Sequence, residues 1–362
     1  MIRAALFDGP GLPFRLVTFP LRDPGPGEVV LRVSLCTVCG SDLHTASGRR
    51  HGPTPCVLGH EVVGTVEHAG SEARDVEGRP LLPGQRVVVG VATGCGHCFF
   101  CQRGWPQKCE SLVKLGHTKS EASRAPFAGQ ASHCHVPAGA AIVPVADSVP
   151  DEVAAPAGCA AATVAAVLRR AGSALEPGAC ILIFGAGMLG LTAAAMATAR
   201  GAGTVIVCDV EESRLQRSRA FGATHTVMLP DGLALLAGIV SERTQGRGAD
   251  AMLELSGSPQ AAGWGLERLR VGGVAVWAGG VLPTPPVPVV PEKVVKNCLT
   301  IAGIHNYAPS DLQTALDFLA ANHERFPFAK LVAATYPLEA VDEAFRIAEA
   351  ERPVRIGIHP SA

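Results

Sequence analysis

The chain has 362 residues, enough for two domains that each bury a core of their own. With 48% apolar and 17% charged residues it is not a disordered chain. A formal net charge of −1 and the absence of any basic run exclude the usual footing for a nucleic-acid or acidic-membrane partner, so neither is expected.

The opening residues, MIRAALFDGPG, lack the basic and then apolar segments of an export signal. The longest mostly apolar stretch, 181–199, is interrupted by glycines and begins like a strand, so no membrane span and a cytoplasmic location are expected. Up to about residue 150 the chain alternates short β-type runs with turns: EVVLRVSLC, EVVGTVEHAG, QRVVVGVA, QASHCHVP and AIVPVA. That pattern predicts a mostly antiparallel domain with long loops. An Ala-rich run over 154–170 predicts one helix. ACILIFGAGMLGLTAAAMATARGAGTVIVCDV then predicts strand, tight turn, helix and strand. Later strand candidates are AMLELSG, GGVAVWAGG and LTIAGIH, and strands alternating with helices at this spacing predict a parallel sheet covered on both faces. Two helical runs, SDLQTALDFLAANH and AVDEAFRIAEA, and a final strand, VRIGIHP, complete the chain.

Gly185, Ala186, Gly187, Met188, Leu189 and Gly190 form G-x-G-x-x-G between a buried strand and an Ala-rich helix. The first glycine suits the tight turn, the second lets a pyrophosphate approach the backbone, and the third lets helix and strand pack closely. A diphosphate would then rest on the helix N-terminus. Asp209, nineteen residues past Gly190, ends the next strand. A carboxylate there accepts from ribose hydroxyls and repels a 2′-phosphate, which predicts NAD rather than NADP. Arg214 reads by default as a solvated helix charge and is also placed to flank the adenine.

Four of the twelve cysteines, Cys95, Cys98, Cys101 and Cys109, crowd into one short loop, CGHCFFCQRGWPQKC. Two disulfides would need strained pairings in a reducing compartment, and a redox C-x-x-C belongs at a strand-to-helix turn, which this loop does not resemble. Four thiolates around one tetrahedral Zn²⁺ leave no open position, so this predicts a structural metal. Catalysis would then lie elsewhere. Cys39, in CTVCGSDLH, and His60, in VLGHEVVG, are good zinc ligands, with Cys159, in PAGCAAAT, as a third. Taken singly, a buried cysteine is also an ordinary small hydrophobe and a lone histidine an ordinary hydrogen-bonded side chain, so both readings stand at this point.

Gly59-His60-Glu61 followed by Gly64, Gly70 and Ala73, the four-cysteine loop, and the G-x-G-x-x-G come in an order that resembles the zinc-containing medium-chain alcohol dehydrogenases. The resemblance spans essentially the whole chain. It implies a mostly β, GroES-like catalytic domain over 1–155 with a structural-zinc lobe at 91–112. An α/β Rossmann domain with a doubly wound parallel sheet over 156–305, and a return to the catalytic domain over 306–362, complete the implied architecture. It also implies two Zn²⁺ per chain and a small-molecule alcohol or carbonyl substrate. A homodimer or homotetramer built through an edge of the cofactor-domain sheet is implied as well.

Residue by residue, Cys39, His60 and Cys159 resemble the catalytic zinc ligands, with Glu61 as the substitute third ligand. Asp42 resembles the partner of the zinc-bound histidine, Ser41 the hydroxyl at the substrate oxygen, and His44 the end of the proton relay. Thr163 resembles a residue beside the nicotinamide and Arg355 one reaching the pyrophosphate. Gly40 departs from members with a cation there, and Val91 stands where many place an aromatic wall, which implies a roomier pocket for a secondary or bulky alcohol. Two other activities fit parts of the same pattern: a zinc-independent NADPH reductase of this fold, and a non-enzymatic NAD- and zinc-binding redox sensor. The Cys39/His60 pair and Asp209 argue against the first, and Ser41 with His44 beside the metal against the second.

Overall fold

A computed structural model describes residues 1–360. They divide into two compact units, Met1–Ala162 with the segment from Asn306 onward, and Thr163–His305. The first crossing falls inside the helix Ala160–Ala171 rather than at residue 156.

The first unit is built on a mixed seven-stranded sheet in the order Ile142–Pro144, Arg86–Val89, Glu61–Ala69, Val29–Val38, Arg355–His359 and Val332–Pro337, with His133–Val136 also paired to Val29–Val38. All its pairings are antiparallel except that of the last two strands. Alternating Val and Leu from these strands (Val29, Leu31, Val33, Val62, Val66, Val87 and Val89 among them) close one core. Burial of each such side chain contributes about 1.5–3 kcal/mol. The register places Thr37 opposite both Glu61 and Gly357, so the strand Arg355–His359 runs beside Val29–Val38 and brings Arg355 to Glu61. A smaller sheet joins Ile2–Phe7 to Arg15–Phe19 and Cys56–Val57, and a two-stranded hairpin, Ala92–Thr93 with Val113–Lys114, frames the cysteine loop.

The single helix expected over 154–170 is broken. Asp151–Ala154 gives way to a 3₁₀ turn, Ala155–Gly158, before the helix Ala160–Ala171 begins. Pro156 lacks the N–H that a continuous helix would use, and the turn follows from it. Cys159 stands at the break, with φ −118° and ψ −70°.

The second unit holds a six-stranded, wholly parallel sheet in the order His225–Met228, Thr204–Asp209, Cys180–Phe184, Ala249–Glu254, Leu269–Trp277 and Thr300–Gly303. Numbered along the chain this is 3-2-1-4-5-6, the doubly wound Rossmann order, with its direction reversed beside Cys180–Phe184. All five residues of that central strand are buried, as continuous apolar runs in a two-sided sheet require. Among the described residues no single helix is long and apolar enough to cross a membrane.

Candidate metal and cofactor sites

The helix Gly40–Ala46 fixes the first cluster. Asp42, at its third position, reaches back so that Oδ2 accepts from the Cys39 N–H at 2.9 Å, which holds Cys39 at the helix mouth. The other oxygen, Oδ1, accepts from His60 Nδ1 at 3.1 Å. In its neutral form, with Nδ1 donating to Asp42, His60 presents the Nε2 lone pair, and Ser41 Oγ lies 3.3 Å from it. The donor atoms of Cys39, His60, Glu61 and Cys159 all lie within 4.8 Å of one another. A Zn–S bond of about 2.3 Å and a Zn–N bond of about 2.0–2.1 Å fit inside that spread.

Two thiols and an imidazole form a donor set of the right softness for Zn²⁺. A hydrogen bond from Cys159, with the Arg355 guanidinium beside it, holds Cys39 well below the usual thiol range, and the same bond with burial raises Cys159. Burial opposes charge on His60, but Asp42 and Cys39 outweigh it and raise the imidazole. Cys39 is therefore disposed toward the thiolate, the form that binds metal.

Glu61 is differently occupied. Arg355 Nε donates to its Oε2 at 2.7 Å and Arg355 Nη2 to its Oε1 at 2.8 Å, while the Thr37 hydroxyl donates to Oε2 at 2.5 Å. Burial pushes the Glu61 carboxyl up to about 7 against the pull of the guanidinium. Arg355 Nη1 donates to the Val354 carbonyl at 2.8 Å. The resemblance gives Arg355 to a pyrophosphate; the structure instead buries it and commits its fork to Glu61. Nothing in the local sequence signals this pair, because it depends on the register of the last strand.

In the cysteine loop the sulfurs of Cys95, Cys98, Cys101 and Cys109 likewise lie within 4.8 Å of one another, and all twelve cysteines are free of disulfides. Cys109 Sγ accepts from the backbone N–H groups of Cys95 at 3.2 Å and Ser111 at 3.3 Å. Backbone N–H groups of Cys101 and Glu110 bring Cys98 down to about 6. Preorganised N–H···S bonds of this kind favour the thiolate at Cys98, while burial and the neighbouring Cys98 push Cys101 up to about 12.

In the second unit Gly185 turns with φ +99°, leaving the strand for the helix Met188–Ala199. A Cβ on Gly190 would lie 1.8 Å from the Gly185 carbonyl oxygen, so only glycine lets helix and turn close. Around Gly187 there is open space. Asp209 Oδ2 accepts from the Ala186 N–H at 2.6 Å, and Oδ1 from Val210 and Glu211 at 2.8 and 3.1 Å, which locks the acid to the glycine turn. A cavity of about 310 Å³ opens there, lined by Gly185, Gly187, Asp209, Arg214, Ser256 and Trp264 among others. Arg214 is paired with Glu211 at 3.0 Å on its rim, while Met188 and Leu189 begin the helix.

Of the remaining expected residues, Thr163 lies on the helix Ala160–Ala171, and His44 keeps a buried Nδ1 with no partner among the described residues. The Val91 N–H donates to the Tyr307 hydroxyl at 3.1 Å, and that hydroxyl donates to the Gly158 carbonyl, next to Cys159. His117 is a residue that the sequence reading passes over. Its ring packs 5.3 Å from that of His60, and Arg50 Nη1 lies 3.2 Å from its Nε2. No spacing rule singles it out.

Residues 25–147 match the alcohol dehydrogenase GroES-like domain and residues 188–321 the zinc-binding dehydrogenase domain. The 5-exo-hydroxycamphor dehydrogenase of Pseudomonas putida is 30% identical over 337 residues, 91% of each chain. An alcohol dehydrogenase from Thermotoga maritima superposes with a TM-score of 0.92 at 28% identity, covering 99% of both chains. A Sinorhizobium meliloti protein solved bound to NADP follows with a TM-score of 0.85 at 25% identity, again over 99% of both. With donors, glycine turn and full-length likeness in agreement, the chain belongs to the zinc-containing medium-chain dehydrogenase/reductase family, as an oxidoreductase of the alcohol dehydrogenase type.

Proposed function

We propose that the chain is a zinc- and NAD-dependent alcohol dehydrogenase that interconverts a secondary or bulky alcohol with its ketone or aldehyde. The observation that carries this is the convergence of Cys39, His60 and Cys159 donors with Ser41 Oγ 3.3 Å from His60 Nε2. Cys39, His60 and Cys159 would hold one Zn²⁺, and the four loop cysteines a second. Glu61 is a poor third ligand, since both of its oxygens already accept from Arg355. When bound, zinc supplies the positive charge that makes an alcohol acidic near neutral pH, and the nicotinamide supplies the hydride acceptor.

The protein's own part is orientation and proton handling. Asp42 fixes the tautomer of His60 so that Nε2 stays available. Ser41 Oγ takes the substrate hydroxyl's proton as it releases its own, and His44, with its unpartnered Nδ1, receives the proton at the outlet. Asp209 supports NAD: its carboxylate, pinned at the glycine turn, would face a 2′-phosphate with like charge. Val91 in place of an aromatic wall, and a relative named for hydroxycamphor, support the roomier substrate. Two thiolate zinc sites and twelve free cysteines fit the reducing cytoplasm.

The test is a panel of primary, secondary and cyclic alcohols with NAD, followed by absorbance of the reduced nicotinamide. Turnover is expected to vanish in Cys39→Ser while NAD binding persists. Retained turnover in that variant would refute zinc catalysis, and a preference for NADP would refute the role given to Asp209.

A further inference from the structure

Beside the catalytic cluster stand basic side chains that the proposed reaction does not use. Just past the helix Gly40–Ala46, the Arg50 N–H donates to the His44 carbonyl at 2.9 Å, a turn that leaves Arg49 exposed and Arg50 partly buried. A guanidinium is always protonated, so Arg50 Nη1 donates to His117 Nε2 across 3.2 Å. His117 in turn packs its ring 5.3 Å from that of His60. Lys114 comes from the neighbouring hairpin: the His117 N–H donates to its carbonyl at 3.3 Å, and the Leu115 N–H donates to the carbonyl of Val91 at 3.1 Å. One short segment thus carries Lys114 and His117 and braces Val91.

Among the described residues neither Arg50 nor Lys114 has an ion-pair partner. Asp42, the carboxylate grouped with His60 and His117, is fully buried and already accepts from His60 and Cys39. Partial burial, with Arg50 and Lys108 nearby, lowers Lys114. Two cations held together without a counter-charge raise the local potential, and an incoming anion would relieve it. Most of the guanidinium's five N–H donors are also left for a planar oxyanion.

We propose that Arg50, with Lys114, forms an anion-binding end to the substrate site, so that the preferred substrate is an alcohol whose carbon chain also carries an anionic group. The proposal rests on the zinc alcohol dehydrogenase reading and names the substrate class of that same site. Arg50 is a specificity residue in it, held in place by His117 and by its own backbone bond to His44.

The test compares secondary alcohols of equal chain length that end in a carboxylate, in a phosphate monoester or in a methyl group, with saturating NAD and the zinc-loaded protein. kcat/KM for one of the anionic pair is expected to exceed that for the methyl-ended alcohol on the order of 10–100-fold, the span of a charge-assisted hydrogen bond. The two anionic arms show which headgroup fits. In Arg50→Gln the ratio of anionic to uncharged kcat/KM should fall by a similar factor, with a smaller fall in Lys114→Gln. Calorimetry with the carboxylate alcohol and no NAD should show the same weakening without turnover. Equal kcat/KM across the three alcohols would overturn the anionic preference while leaving the zinc reading intact. A rise confined to the KM for NAD in Arg50→Gln would also overturn it, by assigning Arg50 to a cofactor phosphate. Absence of turnover with all three, and with the wider alcohol panel, would overturn both.

Discussion

Arg355 and Glu61 are separated by 294 positions in sequence, yet they form a two-pronged ion pair with side-chain exposures of 9% and 0%. Such a pair is worth little over a well-packed apolar substitute, but breaking it from one side strands a charge out of reach of water. Arg355→Met should therefore cost about 3–5 kcal/mol, read as a drop in the urea midpoint at unchanged slope. A loss under ~1 kcal/mol would mean that Glu61 is held neutral and that the fork contributes little. The same pair marks a limit of reading residues from sequence. Cys39, His60 and Cys159 could be put forward together only through the resemblance carried by the glycine–histidine–glutamate pattern, and the structure brings their donor atoms within 4.8 Å of one another. The partners of Glu61 and His60's neighbour His117 were not, since they meet through strand register and loop packing that leave no periodic trace.

Among elements, five of the six strands of the parallel sheet and the glycine turn were legible because apolar runs, turn residues and an Ala-rich helix agree locally, whereas the edge strand His225–Met228, with one buried residue, carried no such run. The helix expected over 154–170 was not, although Pro156 carried the signal for the break. That break matters to the site, because it sets Cys159 at a bend rather than on a regular helical face. The N-terminal strand Arg15–Phe19 escaped notice for another reason: it lies largely exposed and shows no clean alternation.

The cysteine lobe offers a test at this scale. Its helix, Phe99–Gln102, has no buried residue, and Phe99, Phe100 and Trp105 are all exposed, so apolar burial does little to hold the loop. On the proposed reading, a bound metal would supply that cohesion. Cys98→Ser should lower zinc content from two ions per chain to one and depress the melting temperature, while NAD binding survives. An unchanged melting temperature with two zincs retained would remove the loop from the list of metal sites.

At the scale of the whole molecule, the free edge of the parallel sheet bears on self-association. Among the described residues the parallel sheet ends at Thr300–Gly303, which pairs only with Leu269–Trp277 and leaves its other edge unpaired. The segment entering that strand leaves Val281, Val290 and Val295 exposed at 59%, 59% and 75%. An unpaired edge flanked by exposed valines is a liability that pairing with a second copy across a two-fold axis removes, since the same strand then satisfies both chains. Light scattering on the eluting protein should therefore return two or four times the 37.3 kDa chain mass. Amide exchange should separate this interface from any other: the outward N–H groups of 300–303 are expected to be protected in the oligomer and to speed up on dilution. A single-chain mass at micromolar concentration would contradict the proposal outright. An oligomeric mass with fast exchange along that strand would shift the interface away from the sheet edge and leave the exposed valines unexplained.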